Sequence, residues 1–254
     1  MEEGEAGIEG EELWALKLPE LTLLGFLREC PRPYKRLRLT SLCLPASLDW
    51  VSMLPSHLTH LSLLNSRLTD SSPVLSVLTQ LPCLSCLDLS GNYIRVSSGE
   101  WLCGLAALEE LTLSDNWLGS QGLVVLSAQL LGKVSKLKAL RLSKVGAGGE
   151  GLIRLLVALS HSQVTNLDLS YNSLHTPGYE ALLAFLPVSI LQCVNLEGNC
   201  LSETQVLGLL QLCAFLRTPS LLLADNFTSA EVSLQVKCCY MTIQTMANMQ
   251  FSTD

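Results

Sequence analysis

Apolar residues in this chain recur in one spacing. Leu84-x-x-Leu87-x-Leu89-x-x-Asn92-x-Ile94 is followed by Leu108-x-x-Leu111-x-Leu113-x-x-Asn116-x-Leu118. Val164-x-x-Leu167-x-Leu169-x-x-Asn172-x-Leu174 and Leu191-x-x-Val194-x-Leu196-x-x-Asn199-x-Leu201 come next, and Thr218-x-x-Leu221-x-Leu223-x-x-Asn226 ends the series. Three weaker copies complete it. Tyr34-x-x-Leu37-x-Leu39 places Leu42 where asparagine is expected, Leu58-x-x-Leu61-x-Leu63 places Ser66 there, and Leu137-x-x-Leu140-x-Leu142 places Val145. The second apolar positions, 37, 61, 87, 111, 140, 167, 194 and 221, are separated by 24, 26, 24, 29, 27, 27 and 27 residues. Such a period means stacked repeats rather than a single closed core.

Each copy predicts two elements. The two core apolar residues of a Leu-x-Leu pair point to one side of a short strand. The asparagine follows where the chain turns away, and its amide can bond backbone groups that the turn leaves unpaired. The copies with Leu42, Ser66 and Val145 are therefore expected to be looser or differently turned. Behind the strands, the runs 121–131, 151–159 and 203–216 space apolar residues as helices do, and Pro177-Gly178 marks a helix start. One strand and one helix per copy build a curved α/β solenoid of about eight coils, with strands on the concave face and helices on the convex one.

The residues that carry this pattern resemble the leucine-rich repeat superfamily over residues 34–228. The Asn-x-Leu-x-x-x-Gly-Leu-x-x-Leu run at 116–126, with a related run at 172–182, is similar to its ribonuclease-inhibitor-like subclass. The resemblance implies partners that dock on the concave face or its rims. It brings no shared catalytic residues, and it is specific for fold rather than function.

The ends follow from the need to close a solenoid with polar-faced caps. Residues 1–10 read as an acidic, disordered start and 11–33 as a helical cap. Leu13, Leu16, Leu24 and Leu27 share a face there, Pro19 is a break, and Pro31 and Pro33 are the stop. Residues 229–254 read as a cap or tail, in which Val232, Leu234, Val236 and Cys238 alternate like a strand.

Composition narrows the function. Hydrophobic residues make up 48% of the chain, and the mean hydropathy is +0.36. The repeat accounts for this, because both strand and helix leucines face the core. The longest uncharged apolar run, Ala181 to Val194, is too short for a spanning helix of about 20 residues and contains Pro187. A net charge of −7 disfavours nucleic acid or an anionic membrane as the partner. The glutamate-rich start lacks the pattern of a signal peptide. The ten cysteines are scattered, as suits a reducing compartment, so cytosol or nucleus is the expected address. Asn226-Phe-Thr228 matches a glycosylation sequon, but its asparagine belongs to the repeat.

Several chemical motifs are accounted for by the repeat itself. Cys83-Leu-Ser-Cys86, with His57 and His60 one coil earlier, has metal-site elements, yet Cys83 and Cys86 occupy ordinary repeat positions. Leu152-Ile-Arg-Leu-Leu156 matches a groove-docking motif whose leucines the core needs. Gly146–Gly151 is glycine-rich but lacks phosphate-loop spacing. No nucleophile, base and orienter set is readable, and no cofactor is expected.

The variable strand positions map the concave face. Arg36 and Arg38 make its first coil basic. Asp88, Glu110, Asp168 and Glu197 form an acidic stripe interrupted by Arg141. None of these eight strands carries an aromatic. Aromatics gather on the rim: Tyr93 and Trp117 stand at the same place in adjacent coils beside Asp115, Tyr171 precedes its asparagine, and Phe227 repeats the Tyr93 position. Strands about 4.8 Å apart allow Tyr93 and Trp117 to stack, and exposed aromatics are common hot spots. The reading is a non-catalytic, intracellular, by itself monomeric interaction module that binds a protein through the concave face and the rim. An inhibitor that wraps an enzyme, or a substrate adaptor of a larger complex such as a ubiquitin ligase, is the alternative.

Overall fold

The computed structural model describes residues 4–30, 34–44, 49–131, 136–216 and 220–229. Ten strands form one sheet in chain order. β1 (Glu5–Glu9) and β2 (Glu12–Leu16) make an antiparallel hairpin at one edge. From β2 onward all neighbours are parallel: β3 (Arg36–Thr40), β4 (His60–Leu64), β5 (Cys86–Asp88), β6 (Glu110–Thr112), β7 (Ala139–Arg141), β8 (Asn166–Asp168), β9 (Cys193–Asn195) and β10 (Ser220–Leu222). The register sets Leu13, Leu37, Leu61, Leu87, Leu111, Leu140, Leu167, Val194 and Leu221 in a single buried row. A shift of one residue would turn that row to solvent, so burial fixes the register. The core is a strip running the length of the array.

The convex side carries α1 (Glu20–Glu29), the short α2 (Asp49–Ser52) and α3 (Pro73–Val77), then α4 (Gly119–Leu130), α5 (Gly149–Leu159), α6 (His175–Phe185) and α7 (Glu203–Leu216). The long helices of the second half fall where apolar spacing predicts them. At the start of α7, Ser202 and Gln205 form a capping box. The Gln205 N–H donates to the Ser202 hydroxyl at 3.4 Å, and the Ser202 N–H donates to Gln205 Oε1 at 2.9 Å. The three coils after β3 lack a full helix and have only short helical turns, a departure from one helix per coil. Pro55 and Pro82 end two of these convex segments. Gly99, with φ +63°, and Gly104 bracket most of the third, the turn 100–104. Bulky rings fill the space instead, with Trp50 fully buried and Trp101 7% exposed.

The N-terminal segment departs from expectation. Residues 4–10 are not disordered in the structure, because β1 lies within them, and the span 11–19 holds β2 rather than a cap helix; only α1 is helical. Leu13 and Ala15 point inward and complete the core of a ninth coil. The helical spacing of Leu13 and Leu16 is coincidental, since Leu16 lies on the other face of the strand and is half-buried. The expected strand over Val232–Cys238, like the rest of 230–254, lies outside the described residues.

The asparagines form a ladder in which each amide serves the coil before its own. Asn92 Oδ1 accepts the N–H groups of Ser66 (2.9 Å) and Leu68 (3.0 Å), while its Nδ2 donates to the carbonyls of Leu63, Leu89 and Ser90. Asn172 does the same with the amides of Val145 and Ala147 and the carbonyls of Leu142, Leu169 and Ser170. Asn116, Asn199 and Asn226 repeat the pattern. The Asn226 nitrogen required for glycosylation is thus donated to three carbonyls.

Coils without the asparagine turn in the same way as the others, contrary to expectation. Lys17, Ser41, Asn65, Gly91, Asp115, Lys144, Tyr171, Gly198 and Asp225 all have φ between 51° and 68°. In the first eight, the amide bonds the next coil's carbonyl, as in Ser41 to Leu64 (2.8 Å) and Asp115 to Ser143 (2.7 Å). Only two of the nine are glycine, so burial and cross-coil bonding hold side-chain-bearing residues in a conformation that costs each roughly 1–2 kcal/mol. The leucine, serine and valine that replace asparagine are buried beneath these turns.

Among the described residues, ion pairs appear at two of the three joints that lack the amide. Lys35–Glu11 (2.8 Å) spans the joint where Leu42 replaces asparagine. Lys138–Glu109 (2.7 Å) and Arg141–Glu110 (3.0 Å) span the joint where Val145 does. Asn116→Ala is expected to cost about 1–3 kcal/mol, because buried backbone groups lose their partners. Urea unfolding measures this, and a loss below a few tenths would remove Asn116 from the ladder.

Candidate functional site

The rim aromatics stand on backbone that the fold has already fixed. The amides of Tyr93 and Trp117 donate to Leu68 and Ile94 of the preceding coils. Their rings meet in a tilted contact, with centroids 5.0 Å apart at 55°, within the separation at which aromatic pairs attract. The Arg95 guanidinium lies 5.7 Å from the Trp117 ring centre, within cation–π range. Gly146 takes the corresponding place in the next coil and offers no side chain, and Trp117 remains 59% exposed. Two shallow depressions share Arg95 and Trp117 as a wall. One, of about 370 Å³, reaches Thr69 and Ser71, and the other, of about 530 Å³, reaches Val96, Leu118 and Gln121.

Asp70 braces this corner. Its carboxylate accepts the successive N–H groups of Arg95 (3.2 Å), Val96 (2.9 Å) and Ser97 (3.2 Å). Val96 is a buried β-branched residue at φ +57°, so these bonds hold a conformation that it would not adopt alone. Neither Asp70 nor Arg95 belongs to the surface that the repeat pattern marks. Asp70 is a coil away from the amides it serves, but Arg95, two residues past Tyr93, was findable as a cation beside an aromatic pair.

Tyr171 has a different place. Its hydroxyl donates to Asp225 Oδ2 at 2.5 Å, crossing an intervening coil, and Lys144 lies 5.6 Å from its ring centre. Gly198 makes the crossing possible, because a Cβ there would collide with the ring. This strap gives Tyr171 a role inside the fold. Phe227 is 68% exposed at the end of the same rim.

The acidic stripe is largely engaged. Asp88 accepts from the Ser90 amide (2.9 Å) and the Ser62 hydroxyl (3.3 Å), and Asp168 accepts from the Ser170 amide (2.9 Å). Glu110 is paired with Arg141, so Arg141 neutralises the stripe at that point. Glu197 is half-buried, and Asp115 is exposed at its left-handed turn.

The remaining motifs fall on the repeat. His60 and Cys86 are register partners on adjacent strands. Burial, then Arg36, lowers the His60 pKa, and burial foremost raises that of Cys86. Cys83 is exposed, and no metal-holding cluster of His, Cys, Asp or Glu occurs among the described residues. Leu152, Leu155 and Leu156 are buried. The Gly151 amide donates to Ser120 Oγ. Trp14, on β2, places an aromatic on the concave face, where a helical cap over 11–33 would not have put one. No helix among the described residues is long and apolar enough to cross a membrane.

Gly198→Ala is expected to push Tyr171 off Asp225 and cost more than about 1 kcal/mol, with Tyr171→Phe adding little once that contact is gone. Thermal unfolding of both singles and the double checks this coupling. The hydrogen bond to Asp225 foremost raises the Tyr171 pKa, so the strap is intact at neutral pH and lost as pH climbs through that raised value. Asp225→Asn should bring the phenol's ultraviolet titration back down; an unchanged titration would contradict the strap.

A leucine-rich repeat family model matches residues 56–118. Comparison with curated proteins gives no significant match. Among solved structures, the chain is similar to an internalin (inlF) from Listeria monocytogenes str. 4b F2365, with 17% identity and a TM-score of 0.51. The match covers 88% of this chain and 64% of the internalin chain, so the likeness concerns the fold alone. Repeat spacing, parallel register and both matches agree on a leucine-rich repeat fold.

Proposed function

We propose that the chain is a non-catalytic module that binds a partner protein through its concave face and its aromatic rim. The observation that carries this reading is the Tyr93–Trp117 pair, 44% and 59% exposed on a braced turn. Large rings left in solvent on a rigid backbone lose little conformational entropy when a partner covers them, which is why such residues dominate interface energetics. Exposed free cysteines such as Cys43 and Cys83 suit a reducing compartment, so the reading places the module in cytosol or nucleus. A wrapping inhibitor of an enzyme is the second reading, favoured by the likeness of residues 116–126 to the ribonuclease-inhibitor-like pattern. Delivery of substrates to a ubiquitin ligase would use the same surfaces.

Partner capture with the folded Tyr93→Ala/Trp117→Ala variant tests the rim. Mass spectrometry after proximity labelling should show a prominent partner of the wild-type chain lost. The corresponding affinity should fall by about 2 kcal/mol or more, roughly 30-fold. Unchanged partners would make the rim a structural feature. Sub-nanomolar affinity together with loss of the partner's enzymatic activity would select the inhibitor.

A further inference from the structure

Most charged side chains of the concave sheet have partners within the fold. Glu11, Glu109 and Glu110 are in ion pairs, and Asp88 and Asp168 hold amides just past the ends of their own strands. Arg36 and Arg38 have no such partner. No carboxylate forms an ion pair with either among the described residues, and both are exposed. They alternate on β3, so their guanidinium groups leave the same face about 6.6 Å apart along the strand. Two adjacent planar forks are suited to carboxylates.

Trp14 supplies an apolar wall beside them. In register it neighbours Arg38 on one side and Gly7 on the other. The indole rests on Gly7, where a Cβ would lie 3.0 Å from the ring. On the β3 side a depression of about 310 Å³ stays open, bounded by Trp14, Leu16, Arg38, Thr40, Glu9 and Glu12.

The surrounding charges orient an occupant. Glu12, the register neighbour of Arg36, and Glu9 beyond it repel an anion over β1 and β2 and confine it to the β3 and β4 side. In the other direction β4 presents His60 and Ser62, and the next carboxylate, Asp88, is already bonded. An anionic group is therefore favoured over β3 and β4, with apolar matter toward Trp14.

We propose that the N-terminal end of the concave face docks an acidic, extended segment of a partner protein, its carboxylates on Arg36 and Arg38 and an apolar side chain against Trp14. The site deepens the protein-binding reading, but it lies apart from the Tyr93–Trp117 rim and is tested separately.

A hexaglutamate peptide serves as the probe and hexalysine as its counterpart, titrated into the isotope-labelled full chain at low salt. The readout is the Trp14 indole N–H resonance, assigned by its loss in Trp14→Phe. Hexaglutamate should shift it saturably while the Trp117 indole stays in place. The folded Arg36→Ala/Arg38→Ala variant should bind at least about tenfold more weakly, and Arg38→Lys should fall between the two. The Tyr93→Ala/Trp117→Ala variant should respond as wild type does, so a failed rim leaves this result standing, and the reverse. No shift at millimolar peptide, equal binding by the double arginine variant, or an equal shift with hexalysine would each overturn the proposal.

Discussion

Everything in this array follows from one constraint: a strand of three to five residues that buries two leucines must turn at once, and the turn leaves polar backbone groups that only a neighbouring coil can satisfy. The asparagine amide answers that demand from the side chain, and the left-handed residue before it answers from the backbone. The second device is the more general. It operates in coils whose asparagine is gone, which is why the sheet keeps its register through Leu42, Ser66 and Val145. A one-dimensional fold has no distant contacts to repair a bad joint, so each joint must be closed locally.

Much of this was legible because two leucines and an asparagine at fixed offsets, repeated at a near-constant period, suit a stacked coil and little else. What was hidden has physical reasons. The left-handed row is mostly lysine, serine, aspartate and similar residues, and a conformation imposed by cross-coil bonding leaves no mark in composition. The N-terminal coil was hidden because Ala15 stands where the second leucine belongs and Leu18 where asparagine does. Short convex segments were partly readable in Pro55 and Pro82, but their replacement by Trp50 and Trp101 depends on packing that periodicity does not report.

The candidate surfaces were legible in part. Pattern alone placed Tyr93 and Trp117 side by side. It did not reveal that Asp70 fixes the backbone beneath Arg95, or that Tyr171 is tied to a residue two coils away. The charges show the same limit. Asp88, Glu110, Asp168 and Arg141 look like a ligand-facing stripe in one dimension, while in three dimensions most of their valence is spent on neighbours. Arg36 and Arg38 acquire meaning only once β2 brings Trp14 beside them.

The placement of ion pairs carries a further consequence. A buried amide is shielded from dissolved ions, whereas exposed ion pairs weaken as the Debye length contracts, from about 10 Å at 0.1 M salt to about 3 Å at 1 M. The joint spanned by Lys138–Glu109 and Arg141–Glu110 lies directly after the coil that carries Trp117. The asparagine-stitched coils on either side of it are indifferent to ionic strength by comparison. The concave surface beside the exposed Trp117 therefore carries side-chain contacts that weaken as electrolyte rises, while the backbone bonds across the same joint, from Leu113 to Arg141 and from Asp115 to Ser143, hold its geometry.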